Sequence, residues 1–360
     1  MKNTPISKIA GKVQTVLGTI ELEDLGVTLT HEHFLIDLST RFIEPVPNSE
    51  RMLSRQPVTL ENLGWVHYHP MSNIDNLQLL DEQVAISEGL RYKYAGGNSV
   101  VDVTNIGLGR DPLALARISR ATGLNIIMGS GYYVYQTWPP GVKLTKETMT
   151  QEIVRDITVG VGNTGIRAGI IGEIGTEWPI RDEERMSLRA SALAQRETGA
   201  PLNIHCGNSP DCAFQIIEEL DKAGADISRV VIDHIASRVF SHDTRVKLAK
   251  TGCYLAYDDF SFEGWYQRRM VLSEANLKKC DVPNDAGRLN EIMALIDEGF
   301  LNQILISHDH CLKYHLWHYG GPGYAHILEN VVPLMREKGM SEEQINTLLI
   351  ENPKRLLQFV

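Results

Sequence analysis

Short apolar runs recur along the chain, separated by longer stretches in which apolar residues return every three or four positions. The runs are VTLTHEH (27–33), SVVDVT (99–104), NIIMGSG (125–131), AGIIGEIG (168–175), PLNIHC (201–206), VVIDHI (230–235), YLAYDD (254–259) and ILISHD (304–309). Most are rich in Val and Ile and apolar on both faces, as strands covered on both sides are. The stretches between them predict helices over 75–96, 111–123, 145–160, 182–199, 212–225, 244–252 and 288–300, with two more, 323–339 and 341–357, after the last run. Asp111 precedes Pro112 and Gly123 follows, a helix start and stop. Ser341 and Gln344 form a capping box, whereas Thr145 with Thr148 supplies only its first half. GKVQTVLGTIEL (11–22) predicts two short strands around Gly18, a hairpin covering one end of the molecule.

Strand and helix in alternation predict a parallel sheet clothed by helices. Eight units fit a (β/α)8 TIM barrel, read here as a single domain over residues 1–360 with a short N-terminal β-hairpin. An open doubly wound sheet is the competing layout. The polar residues favour closure. His31 and His33 end the first run, Glu173 the fourth, His205 the fifth, His234 the sixth and Asp309 the eighth. In a closed barrel these ends meet on one rim, where active sites form; in an open sheet they are strung along an edge. The segment of about 40–70, after the first strand, is long and carries Trp65, His67, Tyr68 and His69. It predicts either a cover over a substrate or an insertion packed on the barrel mouth.

His31-Glu32-His33 is an H-x-H whose imidazoles share one face of a strand, with Glu32 turned to the other. Two imidazoles at one point suit a borderline divalent cation, zinc first, with manganese or cobalt as alternatives. Asp309 is expected beside His31 and His33, and His205 with His234 at a second cation. Glu173 lies between the groups in barrel order, and its two oxygens can bridge two cations. Bridging hydroxide is then the expected nucleophile, and Asp309 the base that takes its proton. Glu177, in the loop past the fourth strand, reads as a solvated glutamate rather than the bridge. Alternation turns Asp233 and Cys206 away from the centre, and Asp258 is placed to hold a ligand by a hydrogen bond.

Composition narrows the function. The formal charge is −10 and no run of Lys and Arg forms a basic stripe, so nucleic acid is not expected as a partner. No run of 18 apolar residues is present, so no membrane span is expected. The five cysteines, Cys206, Cys212, Cys253, Cys280 and Cys311, include no C-x-x-C pair. They point to a reducing compartment, and MKNTPISKIAGKVQTV carries no apolar leader, so a cytoplasmic location is expected.

The ordered set LGVTLTHEH (25–33), GGNSVVDVT (96–104), GLNIIMGSGYY (123–133), RAGIIGEIGT (167–176), PLNIHCG (201–207), VVIDHI, ILISHD and ENPKRLL (351–357) resembles the phosphotriesterase-like branch of the amidohydrolase superfamily. The resemblance runs from about residue 10 to the end. It implies a barrel metallohydrolase with a two-metal centre on His31, His33, His205, His234 and Asp309. Many members bridge the metals with a carboxylated lysine. Glu173 stands at that strand end here, which resembles the subgroup bridged by glutamate. The resemblance also implies a homodimer as the assembly to test.

The resemblance leaves the small-molecule substrate open. Tyr132 and Tyr133 resemble a tyrosine pair of lactonase-like members, which puts Tyr133 among the expected substrate contacts. Some lactonases carry an arginine after the seventh strand; Asp258-Asp259-Phe260 stands here, which argues against an acyl-homoserine lactone and adds Asp259 to the expected contacts. In the loop after Asp309, Lys313 suits an anionic substrate group, and His315 is a further contact. The Gly320-Gly321-Pro322-Gly323 run predicts a turn, a candidate lid. The first reading is hydrolysis of a small lactone or ester. The alternatives are an amidase acting on a small N-acyl compound, a phosphotriesterase or phosphoester hydrolase, and a non-catalytic small-molecule binding protein.

Overall fold

A computed structural model describes residues 9–45, 47–238, 241–263 and 283–360; Cys280 lies outside them. Eight strands form one sheet: β1 (Thr28–Glu32), β2 (Ser99–Asp102), β3 (Asn125–Ser130), β4 (Ile170–Gly175), β5 (Leu202–His205), β6 (Val230–Ile232), β7 (Tyr254–Tyr257) and β8 (Ile304–Ile306). Neighbours in sequence are neighbours in space, and every pairing is parallel. β8 meets β1 to close the ring. Asp309 N–H donates to the His31 carbonyl at 3.2 Å, and the His31 N–H donates to the Ser307 hydroxyl at 3.0 Å. This is the (β/α)8 barrel expected from the alternating pattern.

Each strand is buried along nearly its whole length, so the expected two-faced apolarity is realised. The hairpin pairs Val13–Thr15 with Gly18–Ile20, and Val13 packs with Leu25, Val101, Val103, Ile127, Ile170 and Leu357. It therefore sits with the C-terminal helix against one end of the barrel.

Several helix ends differ from expectation, each for a local reason. The helix expected from residue 75 spans Glu82–Tyr94. Gln78–Leu79 is instead a short strand paired with Ile36–Asp37, Asp75 accepts from the Val58 N–H, and Asp81 caps the helix. At Thr145 the capping box is complete, because the Thr148 hydroxyl accepts from the Thr145 N–H at 2.9 Å. Caps at Ser209, Ser241 and Asn284 start three helices two or three residues early. The last two helices contain wide turns at Ile327–Val331 and Thr347–Glu351. Among the described residues no helix is long and apolar enough to cross a membrane.

Glu32 holds the closing seam. Its carboxylate accepts from the Ser307 hydroxyl (2.8 Å), His308 N–H (2.9 Å), His308 Nδ1 (2.7 Å) and His310 N–H (3.0 Å). All of it is buried. Removing one side of such a buried charged network leaves its donors without acceptors. Glu32→Ala is therefore expected to lower unfolding stability by about 3 kcal/mol, read by urea denaturation with and without a chelator. An unchanged midpoint in chelator would show that the seam closes without it.

Candidate metal centre

The strands deliver six candidate ligands to the rim. His31 lies in β1 and His33 just past it; Glu173 lies in β4, His205 ends β5, and His234 and Asp309 follow β6 and β8. His234 and Asp309 have φ of 60° and 53°, a left-handed backbone uncommon outside glycine but one that Asp and His adopt more readily than most residues, at the turns where each leaves its strand.

Glu173 Oε1 is the meeting point. It lies 2.8 Å from His205 Nδ1, 3.2 Å from His234 Nε2 and 3.8 Å from His31 Nε2. Asp309 Oδ1 lies 3.2 Å from His33 Nε2 and 3.6 Å from His31 Nε2. Ligand atoms lie within 4.8 Å of one another in His31, His33 and Glu173, in His31, His234 and Asp309, and in Glu173, His205 and His234. All six expected ligands are brought together.

Orientation comes from the atoms behind. His33 Nδ1 meets the Thr104 hydroxyl at 2.8 Å, and His234 Nδ1 meets Asp258 at 3.1 Å, so both present Nε2 to the centre. His31 Nδ1 faces Asp258 at 3.1 Å and Asp233 at 3.5 Å. Asp233 thus turns toward the centre, against expectation: β6 ends at Ile232, so the pleat no longer dictates its direction. Asp258 takes the orienting role expected of it. Cys206 is a buried free thiol facing elsewhere, as expected.

The charge balance fits bound cations. Burial opposes a charged His31, yet Asp233 and Glu173 hold its pKa well above the usual value, and Asp258 does the same for His234. Burial would raise the Glu173 carboxyl, but His205 and His31 keep it well below the ordinary range. Burial lowers His205 to about 3, leaving it a neutral imidazole. Both His31 nitrogens are buried without a hydrogen-bonded partner. Three imidazoles converging on one buried carboxylate oxygen, with His31 left without a hydrogen-bonded partner, form a donor set that a divalent metal can fill. The clustering suggests a binuclear divalent-metal site.

Above the cluster lies a cavity of about 680 Å³ whose lining includes His33, Tyr133, Glu173, His205, Arg238 and Asp309. The long loop after β1 contributes Thr40, Arg41, Phe42, Ile43 and Met71, so part of it does cover the site. Its Trp65 instead stacks on His69, 4.8 Å between centroids. The Tyr133 hydroxyl is 3.1 Å from His205 Nδ1, at the cavity floor. Glu177, expected to be solvated, lines the cavity and pairs with Arg41 at 2.8 Å.

The other expected contacts stand elsewhere. Lys313 pairs with Asp75 at 2.7 Å and lines a separate cavity of about 470 Å³. His315 is buried against Phe262, 4.6 Å between ring centroids, outside the lining. Asp259 is buried behind β7, also outside it. Gly321 is packed so closely that an added Cβ would lie 2.2 Å from the Tyr314 carbonyl oxygen, which makes the glycine run a fitted turn. Sequence reasoning missed Glu32, His308 and Arg238. The polar His308-Asp309-His310 succession after β8 was the one available signal for the first two.

The sequence profile of the phosphotriesterase family matches residues 11–357. The chain belongs to the phosphotriesterase family. Family membership and the ligand cluster together make it a metal-dependent hydrolase. A phosphotriesterase-related protein of Nematostella vectensis is 42% identical over 354 residues, covering 97% of this chain and 99% of that one. An N-acetyltaurine hydrolase of Mus musculus is 41% identical over 356 residues, covering 98% and 100%. The crystal structure of a resiniferatoxin-binding protein from Rhodobacter sphaeroides superposes with a TM-score of 0.91 at 33% identity, covering 97% of this chain and 95% of that one.

Within this phosphotriesterase-family site, Glu173 Oε1 meets the Nε2 atoms of His31 and His234 and the Nδ1 of His205 from the cluster side, so it touches both groups of histidines. Glu173→Ala is expected to reduce metal bound per chain by at least half, read by inductively coupled plasma mass spectrometry after dialysis. Full metal content in the variant would remove Glu173 from the ligand set.

Proposed function

We propose that this chain is an amidase that hydrolyses a small N-acyl compound, with N-acetyltaurine as the first substrate to test. This reading displaces the lactone or ester taken first from sequence. The observation that carries it is the end-to-end similarity, at 41% identity, to N-acetyltaurine hydrolases, in a chain that keeps a full ligand cluster.

The residues suit the reaction. Divalent cations held by His31, His33, Glu173, His205, His234 and Asp309, zinc first, would supply an activated water and polarise the amide carbonyl. Asp309 lines the cavity and has 14% of its side chain exposed, so it reaches both the ligand cluster and a bound substrate. It accepts the proton of the attacking water and returns it to the departing amine nitrogen. Tyr133 is protonated at neutral pH, because burial and the Glu173 charge push its pKa well up. Its hydroxyl therefore donates toward the oxygen on which negative charge develops. Water and amide become carboxylate and ammonium, both protons of the water ending on the departing nitrogen, with no redox change.

The test is release of taurine from N-acetyltaurine by protein loaded with zinc, manganese or cobalt, beside a lactone panel and a paraoxon-like triester. Turnover of the amide well above the lactones supports the reading; lactone turnover alone overturns it. Asp309→Asn is expected to lower kcat by roughly 10²–10⁴-fold while retaining most of the metal. Unchanged turnover would remove Asp309 from the proton-transfer role.

A further inference from the structure

Arg238 is a buried cation that no carboxylate among the described residues neutralises. Only 8% of its surface is exposed, and it lines the cavity over the ligand cluster. One Nη donates to the Asn208 side-chain oxygen; the other lies 3.3 Å from His205 Nε2. Its Nε is buried without a partner. Among the described residues no carboxylate lies at ion-pair distance from it. The other arginine of the cavity is satisfied: Arg41 pairs with Glu177 at 2.8 Å and with Gln136 at 2.9 Å. Lys313 is held by Asp75 in another cavity.

The contact with His205 does not meet the need either. His205 presents Nδ1 to Glu173 and His234 at 2.8 and 2.9 Å. A neutral imidazole that gives Nδ1 to a metal carries its proton on Nε2. Two donors then face each other, and the Arg238 fork keeps a single neutral acceptor. Guanidinium stays protonated in proteins, and its planar fork matches a sulfonate or carboxylate with two parallel hydrogen bonds. A buried charge kept beside a substrate cavity calls for a counter-charge brought by the substrate.

We infer that Arg238 is a specificity-determining residue that grips the acid group of an N-acyl substrate. This rests on the amidase reading for the scissile bond, but the acid grip is a separate claim. One imidazole ring and one hydrogen-bond length separate the ligand cluster from the Arg238 fork. Sulfonate and carboxylate share the chemistry; a neutral N-alkyl amide lacks it.

Two measurements test this on full-length, metal-loaded protein. In the first, 1-propanesulfonate is titrated into wild type, Arg238→Met and Arg238→Lys by calorimetry. Binding to wild type, at least tenfold weaker in R238M and intermediate in R238K, is expected. No binding to wild type, or equal affinities in the three proteins, overturns the proposal. Should R238M fail to fold, R238K and the wild-type titration still decide it. In the second, N-acetyltaurine, N-acetyl-β-alanine and neutral N-propylacetamide are compared as substrates. R238M is expected to raise KM at least tenfold more for whichever acid is the better substrate than for the neutral amide. The better acid distinguishes sulfonate from carboxylate. Equal losses on acidic and neutral amides overturn the grip. If no amide turns over, the amidase reading falls while the propanesulfonate titration still judges Arg238.

Discussion

The seam between β8 and β1 is the constraint from which the site follows. The Asp309 N–H reaches the His31 carbonyl, and Glu32 gathers donors from Ser307, His308 and His310. These bonds join residues some 276 positions apart in the chain. They bring Asp309 alongside His31 and His33, which no local sequence preference could do. Glu32 sits between two ligand histidines yet spends its charge on the backbone and side chains of the last strand. The barrel thus uses one carboxylate to fix the frame so that its neighbours can be spent on chemistry.

Charge is the second organising factor. Glu173, Asp233, Asp258 and Asp309 all approach the same few imidazoles. Asp233 is raised to about 7 by burial, with the nearby Asp258 charge adding to it, while Asp258 is drawn down by His234 and His31 against its own burial. The pair splits the work: one carboxylate stays ionised and orients two rings, and the other buffers the remaining charge. The cavity above adds two cations to this acidic setting. Arg41 is neutralised by Glu177, whereas Arg238 is left facing the space a substrate would fill.

Much of this was legible in the linear chain. Strand ends are marked by where apolar runs stop, and a closed parallel barrel sends every such end to one rim. The six candidate ligands therefore emerged from position alone. What depended on contacts between distant segments did not emerge. Lys313 looked free because Asp75, its partner, lies 238 residues earlier. Glu32 looked idle because its donors arrive only when the ring closes. Arg238 lies in a loop, where no periodicity distinguishes a buried cation from a solvated one. Asp233 was misdirected because alternation was extended past the last paired residue of a three-residue strand. The early start assigned to the helix at Glu82 failed for a related reason: Leu77 and Leu80 fit a helical face, but Gln78 and Leu79 were claimed by a strand partner forty residues upstream.

The ligands' dispersal over five strands has a thermodynamic corollary. An unfolded chain offers a cation only short local clusters such as His31–His33 and His308-Asp309-His310, while the native barrel offers six candidate donors at once. Cation occupancy and native structure are therefore linked, and each occupied site weights the population toward the folded form in proportion to free ion supply. Scarcity of the ion in the cell would thin the standing pool of protein through turnover of opened chains, before any question of catalytic rate arises.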